Sequence, residues 1–318
     1  MVKQAVWRFH ISALGVLALL ATPALHAAGG KHRVTVKYAT KSAAHTPARK
    51  YPSSPVRQSA NGTADGTPNL KSSAVLVIDL EDGHTLYGKN TQNKTPIASI
   101  TKLMTSMVVL DAKLPAEETI YIDAADYDSI KHTTSRLHMG TGLSRQEMLR
   151  LALMSSENRA AASLSRAYPG GSEAFVAAMN RKAVELGMLN TRFVDSTGLS
   201  SENVSTAEDL VKMVKGAYEY PLIREFTTTS AHEVQTAAGR SLQFRNSNGL
   251  VRNSSWDIGL SKTGYISEAG RCLVMQAKIA ARPVIIVLLD SWGRQTRIGD
   301  ANRIRKWLES QVGRKPVG

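Results

Sequence analysis

The chain is short of cysteine and of acid. Its one cysteine, Cys272, has no intrachain disulfide partner and leaves no thiolate metal cluster. No His-Glu-x-x-His occurs, so zinc hydrolysis has no support. The Gly-x-Ser-x-Gly elbow of esterases is missing too. Gly259-Leu260-Ser261-Lys262-Thr263 ends like a phosphate loop, but Ser261 stands where a glycine must precede the lysine. The histidines are scattered without ligand spacing, which reads as surface positions or local hydrogen bonding, and no fixed-period repeat appears. Past the leader, no apolar run approaches the roughly 20 residues of a membrane span. What is present is ordinary for a globular protein. In 318 residues, 42% are hydrophobic, enough for one large domain or two small ones around a sizeable core. Disorder throughout, a collagen-like repeat and a disulfide-stapled mini-protein are excluded.

Acids number 26 against 40 Lys and Arg, a formal charge of +14. The excess is uneven. Lys3 and Arg8 precede an apolar run from Ile11 to Leu20 and a small, Pro-containing stretch ending near Ala27, with Leu25 at the minus-three position. This reads as a secretory signal over residues 1–27, the alternative being an uncleaved anchor helix, for which the run is short. Export makes nucleic acid a poor partner. No membrane anchor is expected after cleavage. Residues 28–72 hold eight Lys or Arg and a single acid, Asp65, among Ala, Ser, Thr, Pro and Gly. Such a segment buries too little to offset its ordering entropy, so a disordered linker is expected. A tether to anionic envelope material is the functional alternative.

From Ser73 the pattern is globular. Ala74–Asp79 reads as a buried strand, Glu81–His84 as a turn and Thr85–Gly88 as its hairpin partner. Pro96-Ile97-Ala98-Ser99 opens a predicted helix reaching about Asp111. Ser144–Ser155 is a second, with Ser144 and Glu147 placed as a capping box and an all-apolar end that argues for burial. Helices follow over Asn158–Tyr168, Ser172–Leu186 and Thr206–Tyr218, the last with Ser205 as its cap. Strands are expected at Asp257–Gly264, Arg271–Ala280 and Pro283–Leu289, with Ala281-Arg282 linking a hairpin. Ala301, Ile304, Trp307, Leu308 and Val312 make a final helical stripe. Strands and a helix at each end, with helices between, suggest a sheet assembled from both termini around a helical insert at roughly 112–225. Met104, Met107 and Val108 read as core, and Cys272 as a small buried residue. Arg271 and Arg294 suit either an anionic substrate or surface ion pairs.

Ser99-Ile100-Thr101-Lys102 puts a hydroxyl and an amine on one helical face. An alcohol needs a base, and a lysine whose pKa is held down by burial can serve. Alone, the spacing fits a capping serine and a solvated lysine as well. Two further elements join it. Lys262-Thr263-Gly264 breaks an otherwise apolar strand with groups suited to a carboxylate and a glycine suited to close approach of a ligand. Ser156-Glu157-Asn158 follows the buried helix and offers a hydroxyl and an amide. Ser-Ser-Glu-Asn recurs at Ser200–Asn203, but in a polar stretch where a turn is expected, so Ser156 and Asn158 are preferred.

Ser-x-x-Lys, Ser-x-Asn and Lys-Thr-Gly in this order resemble the signature of penicillin-binding proteins and class A β-lactamases. Pro96–Thr105, Leu151–Ala161, Asn190–Val194 and Thr197-Gly198-Leu199 resemble the endopeptidase branch of the low-molecular-mass penicillin-binding proteins, over about Ser73–Leu308. The resemblance implies an α+β, β-lactamase/D,D-peptidase-like domain over 73–318, with an antiparallel five-stranded sheet flanked by helices and an all-helical subdomain. It implies a periplasmic serine D,D-peptidase acting on peptidoglycan cross-links and inhibited by β-lactams, without metal or organic cofactor. Ser99 would be the nucleophile, Lys102 the base and Ser156 the proton relay. Asn158, Lys262, Thr263 and Gly264 would bind substrate, and the backbone N–H groups of Ser99 and Tyr265 would form the oxyanion hole. A D,D-carboxypeptidase uses the same residues. Related carboxypeptidases continue into a β-rich domain and amphipathic anchor, and the 54 residues after Gly264 favour the endopeptidase. A serine β-lactamase would need a deacylating glutamate, and a non-catalytic wall-binding module would not need all three motifs intact.

Overall fold

The computed structural model describes residues 66–312. The leader and the basic segment up to residue 65 lie outside the described residues. The chain enters through β1 (Ser72–Asp79), turns into β2 (Thr85–Lys89), and passes a short β3 (Thr95–Pro96) and a 3-10 turn at Ala98–Thr101 into α1 (Lys102–Asp111). Next come β4 (Thr119–Tyr121), β5 (Gly142–Ser144), α2 (Arg145–Met154), α3 (Asn158–Arg166) and α4 (Gly171–Glu185). They are followed by β6 (Val204–Ser205), α5 (Ala207–Tyr218), α6 (Pro221–Thr228) and the hairpin β7 (Ala231–Gln235) and β8 (Ser241–Arg245). The chain closes with β9 (Asp257–Ile266), β10 (Gly270–Ile279), β11 (Arg282–Ser291) and α7 (Thr296–Val312).

The main sheet has the order β2-β1-β11-β10-β9, every neighbour antiparallel. Its strands read as near-continuous apolar runs because both faces are covered. Leu76 and Ile78 of β1, Val274 of β10 and Ile285 and Val287 of β11 face the core shared with Leu103, Met104, Met107 and the helices α2 to α6. Their alternates Val75, Val77, Met275, Ile286 and Leu288 face a second core with Ala301, Ile304 and Leu308 of α7. A three-layer α+β domain results, its sheet drawn from both ends of the described chain. The Cys272 side chain is fully buried on β10, and burial pushes its thiol up to about 11.

Several local expectations are corrected. Pro96 pairs in β3 with Val204, and the helical segment opens only at Ala98, as a 3-10 turn. Ser144 accepts from Glu147 N, but the Glu147 carboxylate does not return to complete a box; it lies 2.7 Å from His232 Nε2. Thr206, not Ser205, caps α5 by accepting from Asp209 N. Ser205 is held in β6, its hydroxyl 2.7 Å from that of Thr191. The β10–β11 turn is Ala280-Ala281, one residue earlier than expected, and both have positive φ, as a type I′ turn demands. Helix α6 and the β7–β8 hairpin are additions. Only Val234 in β7 and Phe244 in β8 are fully buried; both strands alternate, but over five residues each, a signal short enough to be passed over.

Candidate active site

Ser99 sits on the 3-10 turn, clamped from two sides by glycine. A Cβ on Gly198 would fall 2.0 Å from Ala98 O, and its φ of +80° is itself a glycine conformation. A Cβ on Gly264 would meet Ile97 O at 2.9 Å and Ser99 N at 3.1 Å. The sequence suggests approach of a ligand as the reason for Gly264; the close approach in the structure is of the chain's own Ile97–Ser99 turn to the edge strand β9. Ala98 between the clamps is fully buried with φ +48°. A left-handed alanine costs about 1–2 kcal/mol, held here by packing. Thr101 Oγ1 donates to Ala98 O at 2.8 Å and fixes the turn from below.

Lys102 has no exposed surface. Its Nζ lies 2.8 Å from Ser99 Oγ, 2.7 Å from Asn158 Oδ1 and 2.6 Å from Thr197 O. Asn158 Nδ2 donates to Thr133 Oγ1 at 3.0 Å, which orients its carbonyl toward the lysine. Burial lowers the Lys102 pKa to about 7, against the opposing pull of Asp195 and Glu157. In the neutral amine two N–H groups serve Asn158 and Thr197, which only accept at those atoms. The lone pair is left facing Ser99, the one neighbour able to donate to it. The Asp195 carboxylate accepts from Thr197 N, Thr197 Oγ1, Gly198 N and Ser200 N, and so braces the loop that carries the Thr197 carbonyl.

Lys262, on β9, is likewise buried, and its Nζ lies 2.8 Å from Ser156 Oγ. Burial, then Lys102 and Arg297, hold its pKa well below the usual lysine value. Ser156 has φ +64°, a strained conformation for serine that turns its hydroxyl toward this lysine. Thr263 Oγ1 lies 2.8 Å from Ser247 Oγ, and Tyr265 follows Gly264, 55% exposed. Two hydrogen-bonded groups, Lys102 with Ser99 and Asn158 and Lys262 with Ser156, thus lie close enough for one lysine's charge to act on the other, with Gly264 packed on the Ser99 turn. A cavity of about 490 Å³ opens beyond it, lined by Asn158, Asp195 and Thr197.

The second Ser-Ser-Glu-Asn lies apart from this cluster. Asn203 is fully buried and its amide donates to Thr101 Oγ1 and Asp195 O while accepting from Val194 N. It ties the Ala98–Thr101 turn to the loop whose Thr197 carbonyl accepts from Lys102. Sequence reasoning missed this, and it missed Arg297, whose Nη1 donates to Gly264 O at 3.3 Å. A lone arginine on a helical stripe carries no motif, although Arg297 falls one turn before the apolar positions that were read.

Residues 61–293 match the family model described as D-alanyl-D-alanine carboxypeptidase. A D-alanyl-D-alanine endopeptidase of Pseudomonas aeruginosa is 50% identical over 245 residues, 76% of this chain and 78% of the relative. That of Escherichia coli is 46% identical over 257 residues, 80% of this chain and 83% of the relative. Among solved structures, a Streptomyces DD-transpeptidase superposes with TM-score 0.70 at 28% identity, covering 76% of this chain and 97% of its own. Penicillin-binding protein D2 of Listeria monocytogenes, in an ampicillin-bound form, gives 0.65 at 28% identity, covering 75% and 98%. Matched along most of its described length in sequence and in fold, the chain belongs to the D-alanyl-D-alanine carboxypeptidase family of serine peptidases.

Proposed function

We propose that the chain is a serine D,D-endopeptidase that hydrolyses D-alanyl cross-links of peptidoglycan through an acyl-enzyme on Ser99. The observation that carries the reading is the buried Lys102 amine, 2.8 Å from Ser99 Oγ and pointed there by two carbonyl oxygens, Asn158 Oδ1 and Thr197 O. Lys102 takes the Ser99 proton as Oγ bonds to the carbonyl carbon. Backbone N–H groups of Ser99 and Tyr265 receive the oxyanion. Ser156, beside Lys262, passes a proton to the leaving amine nitrogen as the C–N bond breaks. Water then attacks the ester, which releases the acid and restores the Ser99 hydroxyl. Asn158 binds the substrate amide; Lys262 and Thr263 hold a carboxylate of the substrate or of a β-lactam; Gly264 keeps β9 against the nucleophile. None of these steps calls for a metal or an organic cofactor. Relatives at 50% and 46% identity are named endopeptidases, whereas named carboxypeptidases match at 28% and 30%, which supports cross-link cleavage over trimming of terminal D-alanine.

The leader pattern of residues 1–27 and the peptidoglycan substrate support export to the periplasm. No helix among the described residues is long and apolar enough to cross a membrane. The basic residues from Lys31 to Arg57 would sit between leader and catalytic domain, charged for contact with anionic envelope material, whereas Leu70 is already buried and Ser72 opens β1.

Fluorescent penicillin should label the chain and not Ser99→Ala, whose unfolding midpoint should be unchanged. Labelling of the variant removes Ser99 from its role. Digestion of cross-linked and uncross-linked muropeptides separates the two peptidase activities. Loss of terminal D-alanine with dimers left intact would make the chain a carboxypeptidase.

A further inference from the structure

Arg271 and Arg294, which the sequence left between an anionic substrate and surface ion pairs, enter no ion pair among the described residues. Both line a cavity of about 320 Å³ with Tyr265, Asp290 and Trp292. The cavity begins one residue past Gly264, where the edge strand β9 leaves the Ser99 cluster. Its aromatic members are turned to water: Trp292 is 71% exposed and Tyr265 55%. The Arg271 guanidinium lies 4.3 Å from the centroid of the Tyr265 ring. Behind them stands Arg297, with a buried Nε that has no hydrogen-bond partner. Burial and the charge of Arg271 together lower the Arg297 pKa, so the cations are close enough to repel.

Three guanidinium groups against the single carboxylate of Asp290 leave this hollow electropositive. Arginine forks match carboxylates in geometry as well as in charge. Exposed tryptophan and tyrosine beside them offer flat apolar surface at little ordering cost. A peptide laid against an edge strand gains backbone hydrogen bonds and is carried along it. Laid on β9 past Gly264, it would run over Tyr265 into this hollow.

We propose that the hollow is a second subsite of the same cleft. It takes a carboxylate-bearing residue of the peptide whose D-alanyl bond Ser99 attacks, with Arg271 and Arg294 gripping the carboxylate and Trp292 packing on the chain beside it. The inference rests on the peptidase reading given above, since it assumes a D-alanyl peptide in the cleft.

The test uses the full chain and two matched synthetic D-alanyl peptides, one with a free side-chain carboxylate upstream of the D-alanyl bond and one with a carboxamide there. The acid should be preferred in kcat/KM by about tenfold, the size of one charge-assisted hydrogen bond. In the Arg271→Gln, Arg294→Gln double variant the preference should fall to about unity, mostly through KM, with the unfolding midpoint as the folding control. Trp292→Ala should weaken both peptides alike. Equal use of the two peptides by the native chain, or a preference that survives the double substitution, overturns the proposal. If neither peptide is cleaved, the peptidase reading is what failed. Isothermal titration of Ser99→Ala with the same pair then reads the subsite alone: tighter binding of the acid keeps it, and equal binding ends it.

Discussion

At the scale of single residues, two buried lysines without a carboxylate partner define the site. An ammonium taken out of water costs several kcal/mol unless it is paired, and at Lys102 the answer is to give up the proton. Lys102 does so near neutrality, where a solvated lysine would stay charged up to about 10.4. The direction of the pH effect follows. Burial disfavours the charged form, so the competent free amine accumulates as pH rises through about 7. The second-order rate of acylation by a β-lactam should climb about tenfold per pH unit below that value and level off above it. Stopped-flow acylation between pH 5 and 10 checks this; a profile that is flat near 7 and rises only toward 10 would assign the proton to another base. The proximity of Ser99 to Lys102 was legible in the sequence, because a hydroxyl and an amine three residues apart share one helical face. Gly264 drew notice in the sequence, but what its missing side chain admits is Ile97 and Ser99 of the same chain. The roles of Asn203 and Arg297 were not legible. Both work by hydrogen-bonding backbone of another segment, and only folding brings those segments together.

At the scale of elements, catalysis depends on how closely a strand can approach a turn. Gly264 lets β9 lie against Ala98 and Ser99, and its missing side chain is the reason. Gly264→Ala would place a methyl about 3 Å from Ile97 O and Ser99 N, tighter than nearly all real contacts. The strand must then move by several tenths of an ångström, carrying Tyr265 N and Lys262 with it. Acylation should fall by about tenfold or more, since oxyanion donors act only when well placed. Stability should fall by no more than about 1–3 kcal/mol, the usual cost of overpacking. Penicillin-labelling kinetics beside a denaturant titration separate the two; an unchanged acylation rate would show that the approach is not needed. Elements themselves were readable where burial is one-sided or complete, as in β1, α2 and β11, whose apolar runs leave little choice. The β7–β8 hairpin was not read, because its alternation runs for only five residues in each strand and buries one side chain fully in each.

At the scale of the whole molecule, the sheet is closed by partners more than 200 residues apart, β1 lying between β2 and β11. That both ends of the chain build one sheet was legible from the apolar runs at each end. How the ends are locked was not, since it rests on one carboxylate. Asp300 of α7 is fully buried. It accepts from Lys71 N, from Ser72 N at 2.7 Å and from Ser72 Oγ at 2.6 Å, and pairs with Arg303 one turn on. Ser72 Oγ in turn lies 2.7 Å from Ser291 Oγ at the end of β11. Helix α7 thereby holds the first residue of β1 against the last of β11. Asp300→Ala removes every acceptor at once and strands buried N–H groups, each worth about 1–3 kcal/mol when left unmade. A loss of about 3 kcal/mol should lower the unfolding midpoint by roughly 6–12 °C in a domain of this size. Penicillin labelling at 25 °C should persist, because β10 and β11 separate β1 from the edge strand that carries Lys262. Calorimetry of Asp300→Ala beside the labelling assay decides it. A midpoint within a degree or two of the native value would mean that the two ends are held by apolar packing alone.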